Sequence, residues 1–161
     1  MPRLVIYVPF PANRGSNLEW NAEELRTSPL PEFTRVVVVY KDEEEVHGNQ
    51  VRAGDVLVVH AHGATTDTKA YDNTPNDRGL SLSQLISRLQ TLRAPVASKC
   101  YFAICHSALE GHIAADWKAK YGDRQCIYGR HWEMQGGLIR RTRTSVWSSI
   151  FDPANSQLTR L

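Results

Sequence analysis

The sequence predicts an α/β fold, a three-layer sandwich in which a mainly parallel sheet carries helices on both faces. Two observations lead there. Five short runs, at residues 4–8, 36–40, 55–60, 99–105 and 126–129, are mostly apolar without alternation, as strands covered on both faces are. Between them stand stretches with apolar residues at helical spacing, and strands alternating with helices imply parallel crossover units.

Taken in order, the first run is followed by Asn17, which caps a helix through Leu18, Trp20, Ala22 and Leu25 before Ser28-Pro29-Leu30-Pro31 stops it. The acidic residues 42–45 after the second run read as a solvated loop. The third run leads into His62-Gly63 and then a long polar segment, 64–79, expected to shape access to a site rather than the fold. Ser81-Leu82-Ser83-Gln84 is a capping box, and Leu82, Leu85, Ile86, Leu89 and Leu92 form a helical stripe ending before Pro95. After the fourth run, Ser107-Ala108-Leu109-Glu110 matches a second capping box. It predicts a helix with Leu109, Ile113 and Trp117 on one face, closing at Tyr121-Gly122. Cys126–Gly129 is the fifth strand. Gly136-Gly137 is a turn, and residues 138–149 fit a helix or a hairpin.

With 161 residues, 42% of them hydrophobic, the chain suits a single domain over 1–161, without internal repeats or low-complexity tracts. A formal charge of +2 is too mild to imply a nucleic-acid or membrane partner. Arg140, Arg141 and Arg143 read as a solvated face, or, with Trp132, Trp147 and Phe151, as an interaction surface. Three cysteines do not form a disulfide framework and suit a reducing compartment. The opening apolar run is short and cut by prolines, and no stretch has transmembrane length. The expected location is the cytoplasm, or outside it by a route without a cleaved signal peptide.

Two of the apolar runs end in residues suited to nucleophilic chemistry, His62 with Gly63 after the third and Cys105 after the fourth. Neighbouring parallel strands put both carboxyl ends on one rim. A helix beginning at Ser107 would place Cys105 two residues before its N-terminus, where free N–H groups and the dipole favour a thiolate. His62 is then the general acid/base. Gly63 lets its N–H approach a substrate carbonyl and, with the N–H of Cys105, bind the oxyanion. Cys100 and Cys126 read as packing thiols, and His60, on the strand face of His62, as a core or supporting residue.

The run into His62-Gly63, the run into Cys105 and the helix between them resemble the caspase-like fold of clan CD cysteine peptidases. That group includes caspases, legumains, gingipains and the cysteine protease domains of large bacterial toxins. The resemblance covers about residues 55–130, and Cys105-His106-Ser107-Ala108-Leu109 is most similar to the toxin domains. It implies a caspase-hemoglobinase-like sandwich and a cysteine endopeptidase with a His62–Cys105 dyad on adjacent strands. It further implies no cofactor and a protein or peptide substrate, as for a bacterial effector or toxin component. His106 follows the nucleophile and the caspase Gln-Ala-Cys-Arg-Gly signature is absent, so the caspase preference for aspartate does not transfer.

The substrate pocket is expected from the segment after the fifth strand and from the long loop. Arg130 would favour an acidic residue, Asp67 or Asp77 a basic one and Trp132 an apolar one, and the sequence leaves these open. Two other functions compete. His60 and His62, with Cys105, His106 and His112, supply the nitrogen and sulfur ligands that zinc takes. A catalytically inactive caspase-like or flavodoxin-like interaction module is the non-enzyme alternative.

Overall fold

The computed structural model describes residues 1–12, 17–74, 77–131, 147–151 and 157–161. The five apolar runs become strands β1 (Arg3–Tyr7), β2 (Arg35–Val39), β3 (Val56–His60), β6 (Lys99–Ala103) and β7 (Cys126–Gly129). All five lie parallel, and a short antiparallel strand, β8 (Thr159–Arg160), completes a six-stranded sheet in the order β2-β1-β3-β6-β7-β8. Leu4, Ile6, Leu57, Val58, Val59 and Phe102 are fully buried, which is why these runs carry no polar alternation.

Helix α1 (Asn17–Thr27) joins β1 to β2, α2 (Leu82–Thr91) leads into β6, and α3 (Ile113–Tyr121) joins β6 to β7. The chain steps one way across the sheet from β1 to β2 and the other way from β3 through β6 to β7. Right-handed crossovers therefore put α1 on one face and α2 and α3 on the other, an arrangement compatible with a three-layer sandwich. Neighbouring residues of β6 show both faces. Phe102 meets Trp117 of α3 with ring centroids 6.0 Å apart, whereas Tyr101 stacks on Tyr128 at 4.3 Å and meets Phe151 edge-on. At the start of α2 the expected capping box forms, Gln84 N donating to Ser81 Oγ and Ser81 N to Gln84 Oε1.

Four expectations change. No helix opens at Ser107. Its hydroxyl donates to the Phe102 carbonyl and accepts from Arg130 N, so it ties the end of β6 to the end of β7 instead of capping. The chain turns through Gly111, at φ +79°, and α3 begins only at Ile113, its first N–H groups at Ala114 and Ala115 donating to the Ser107 carbonyl. The long segment is not a structureless loop, because β4 (His62–Gly63) and β5 (Ala70–Tyr71) form a hairpin and Ala70 exchanges both backbone bonds with Leu80. Both Ala70 and Leu80 are buried, so the segment belongs to the fold. Nor are residues 42–45 uniformly solvated, since Glu44 is buried and accepts from Tyr7 Oη at 2.6 Å. Trp147 is no surface residue either. It is 1% exposed and donates from Nε1 to the Asn21 carbonyl of α1. Trp132, the Gly136-Gly137 turn, Arg140, Arg141, Arg143 and the rest of 138–146 lie outside the described residues, while Ser148–Phe151 forms one helical turn.

His60 ends β3 inside this packing, 5% exposed with its ring 5.7 Å from that of Trp147. Neither ring nitrogen makes a hydrogen bond of full geometry, although the Ala103 backbone acts on the ring. Burial pushes its pKa down to about 3, His62 and Arg130 push the same way, and Ala103 opposes them. Above its ordinary value of 6.5 the ring is neutral in folded and unfolded chains alike, and its contribution to stability is complete. Below that, the unfolded chain takes up a proton that the folded chain refuses until about pH 3, so stability falls with pH. The slope reaches about 1.4 kcal/mol per pH unit. In chemical denaturation at about pH 7.5 and about pH 5, His60→Leu is expected to remove most of the difference between the two conditions. An unchanged difference would assign the titration to other groups.

Candidate active site

His62 and Cys105 stand beyond the carboxyl ends of β3 and β6, which are adjacent and parallel with His60 opposite Ala103. Each reactive residue is two positions past that pair. A turn closed by Ser107 N donating to the Ile104 carbonyl at 3.2 Å encloses Cys105 and His106. His106 takes φ +61°, a left-handed conformation that costs a residue with a side chain about 1–2 kcal/mol. The reversal leaves Cys105 half-buried at the rim. The helix begins at Ile113 and its first N–H groups are met by the Ser107 carbonyl, so they are not the free donors toward Cys105 that a helix opening at Ser107 would offer.

Gly63 shows how closely the two strand ends meet. A Cβ built on it would lie 2.1 Å from the Cys105 carbonyl oxygen and 2.9 Å from Ile104 Cγ2, so only glycine fits without moving backbone. Gly63 pairs with Ala70, whose own N–H and C=O both go to Leu80. In an antiparallel ladder that makes Gly63 and Ala70 a non-hydrogen-bonded pair, and the Gly63 N–H is directed away from the hairpin.

Around His62 the structure brings groups that the sequence reading did not join to it. Its Nε2 lies 2.8 Å from Oδ1 of Asn17, the first residue of α1. Burial lowers its pKa, and the carboxylates of Asp72 and Asp77 oppose that shift. Asp72 is 4% exposed and accepts from both N and Oγ1 of Thr74.

The expected pocket residues separate. Arg130, directly after β7, is 2% exposed, with its guanidinium near enough to the Cys105 side chain to interact with it electrostatically and Nη2 donating to Gln157 Oε1 at 2.9 Å. Burial lowers its pKa and the Cys105 contact works the other way. Its Nε has no hydrogen-bond partner, and no carboxylate among the described residues lies within ion-pair distance of it. Asp67 and Asp77 are committed to the hairpin. Asp67 accepts from Lys69 N and Tyr71 Oη, the Tyr71 bond holding its pKa below the usual carboxylate value. Asp77 accepts from the N–H groups of Asp72, Asn73 and Gly79. Trp132 lies outside the described residues.

The cysteines and the other histidines are equally distinct in setting. Cys100 is fully buried in the core, where burial pushes its thiol pKa up, and Cys126 is half-buried at the start of β7. His112 is the residue preceding α3 and gives it no side-chain cap. Among the described residues, no three His, Cys, Asp or Glu side chains gather in a group that could hold a metal ion, so the zinc alternative lacks a ligand set there. Among the same residues, no helix is long and apolar enough to cross a membrane.

Compared with family models, with curated proteins and with solved structures, the chain finds no match.

Proposed function

We propose that this chain is a caspase-like cysteine endopeptidase that cleaves a peptide bond in a protein substrate with Cys105 as nucleophile and His62 as general acid/base. The observation that carries the proposal is the close approach of Gly63, next to His62, to the Cys105 carbonyl. It supports the reading because it brings the backbone beside His62, with a turned-out N–H, against that of Cys105 on the sheet rim.

In the proposed reaction, Cys105 Sγ bonds to the substrate carbonyl carbon and its proton passes to His62. The N–H groups of Gly63 and Cys105 receive the charge that develops on the carbonyl oxygen. As the C–N bond breaks, His62 returns the proton to the departing amine. Water then hydrolyses the thioester, releasing the acid and restoring the thiol.

Arg130 takes the place that the sequence reading gave to a helix dipole. Its guanidinium, held by burial and by Gln157, stabilises negative charge on the sulfur as attack begins. Arg130→Gln is expected to slow iodoacetamide labelling of Cys105 severalfold at neutral pH, read by mass spectrometry, with Cys100 as the slow internal reference. Equal rates in the two proteins would show that the guanidinium leaves the thiol unchanged.

Profiling the protein against a peptide library, with Cys105→Ala as control, tests the function itself. Cleavage that the control lacks is the expected result. No cleavage of any library member, with the active-site thiol intact, would defeat the reading.

A further inference from the structure

We infer that the end of the molecule opposite the rim is a basic surface that docks on an anionic lipid bilayer. The formal charge of +2 hides a segregation. Because β1, β2, β3, β6 and β7 are parallel, all five begin at the same end, and exposed cations gather there. Arg35 opens β2 and Lys99 opens β6, while Arg52 and Arg124 lie shortly before β3 and β7. Arg93 follows α2, and Lys118 and Lys120 stand in the last turn of α3. Among the described residues, none of these has a carboxylate within ion-pair distance, Asp55 being taken by Arg3 and Glu23 by Arg26. Exposed Glu32, before β2, and Asp123, before β7, offset part of the charge. At the rim the sign turns over: residues 42–45 after β2 are all acidic, and Asp67, Asp72 and Asp77 follow β3.

Cations at a helix C-terminus answer the helix dipole, which accounts for Lys118 and Lys120. Strands carry only small net dipoles, so Arg35, Arg52, Lys99 and Arg124 answer no field of the fold. Their layout is that of a surface and not of a track. Neighbouring strands are about 4.8 Å apart, so from β2 to β7 the basic edge spans about 19 Å, and Arg93, Lys118 and Lys120 widen it on the α2 and α3 side. A polynucleotide backbone calls for cations lined along a groove. Exposed apolar side chains also stand among these cations. Val96, 39% exposed, lies between Arg93 and Lys99, and Met1, 80% exposed, shares a shallow depression with Arg52. Apolar side chains ringed by Lys and Arg suit the boundary between headgroups and acyl chains. Docked by this end, the molecule presents the rim with His62 and Cys105 to water.

Co-sedimentation of the full chain with vesicles tests the inference without reference to activity. Vesicles of phosphatidylcholine with about one-third phosphatidylserine are expected to bind it at about 0.1 M salt and to release it at about 1 M, and phosphatidylcholine alone to leave it in solution. Each cation near an anionic leaflet contributes about fivefold in affinity, so Arg93→Gln/Lys99→Gln is expected to weaken binding roughly 25-fold. Lys118→Gln/Lys120→Gln, on a different element, is expected to do the same. All four side chains are exposed, and circular dichroism is expected to show both variants folded. Lys41→Gln/Lys69→Gln removes equal charge from the rim end and is expected to bind as the parent does. No binding to the anionic vesicles, equal binding to neutral ones, or unchanged binding in both folded double variants overturns the inference. So does capture of a labelled oligonucleotide by a protein that ignores the vesicles.

Discussion

Cys105→Ala is expected to reduce peptide cleavage to background, a loss of about four orders of magnitude or more, while the protein keeps its fold. The side chain removed is half-buried at the rim and small, so a melting temperature within a few degrees of the parent is expected. His62→Ala is expected to lose on the order of 10²–10⁴-fold, because the proton must then be carried by solvent. His60→Leu is the informative contrast. That ring lies buried in the core against Trp147, so its loss belongs to stability and not to turnover. Steady-state rates and melting curves for the three variants decide the matter. An active His62→Ala beside a folded but inactive His60→Leu would mean that the wrong histidine had been assigned to the chemistry.

The second large effect is expected from adding a single methyl group at Gly63. The new Cβ would lie 2.1 Å from the Cys105 oxygen and 3.1 Å from the Cys105 carbonyl carbon, both backbone atoms with no rotamer to change. Relief requires β4 to move away from the end of β6 by roughly an ångström, and a displacement of that size at a reacting centre costs about 10²-fold. Overpacking adds about 1–3 kcal/mol of destabilisation. Gly63→Ala should therefore lose about 100-fold in kcat/KM or more, even at a temperature where circular dichroism shows it folded. Near-native turnover in a folded Gly63→Ala protein would show that the approach of the two strand ends is not needed for the reaction.

The parallel sheet was legible because burial on both faces writes itself into sequence as unbroken apolar runs. The adjacency of β3 and β6 is what the resemblance implies for strands that carry His62 and Cys105, and the sheet order has it. What escaped had long-range causes. Ser107 and Glu110 satisfy the local pattern of a helix start, but the hydroxyl is recruited by Phe102 and Arg130, partners that no local pattern names. The contact between Asn17 and His62 spans 45 positions, and nothing in either neighbourhood announces it. The β4–β5 hairpin was missed because two-residue strands are too short to show a period, leaving only polar composition to read. Arg130 was picked out, but its inward course depends on Gln157 and on the end of β7, which only the fold brings together.

The tie between Trp147 and the Asn21 carbonyl has a consequence for synthesis of the chain. α1 carries Asn17, and Gln157 holds Arg130, so the positions of both helpers depend on residues translated long after His62 and Cys105. Contacts of such wide sequence separation form late, since the intervening chain must close on itself first. A nascent polypeptide with both reactive residues already outside the ribosome still lacks the fastening of α1 and the support behind the guanidinium. The supports of His62 and of Arg130 are therefore completed only when Trp147 and Gln157 dock, after both strand ends that carry His62 and Cys105 have already been made.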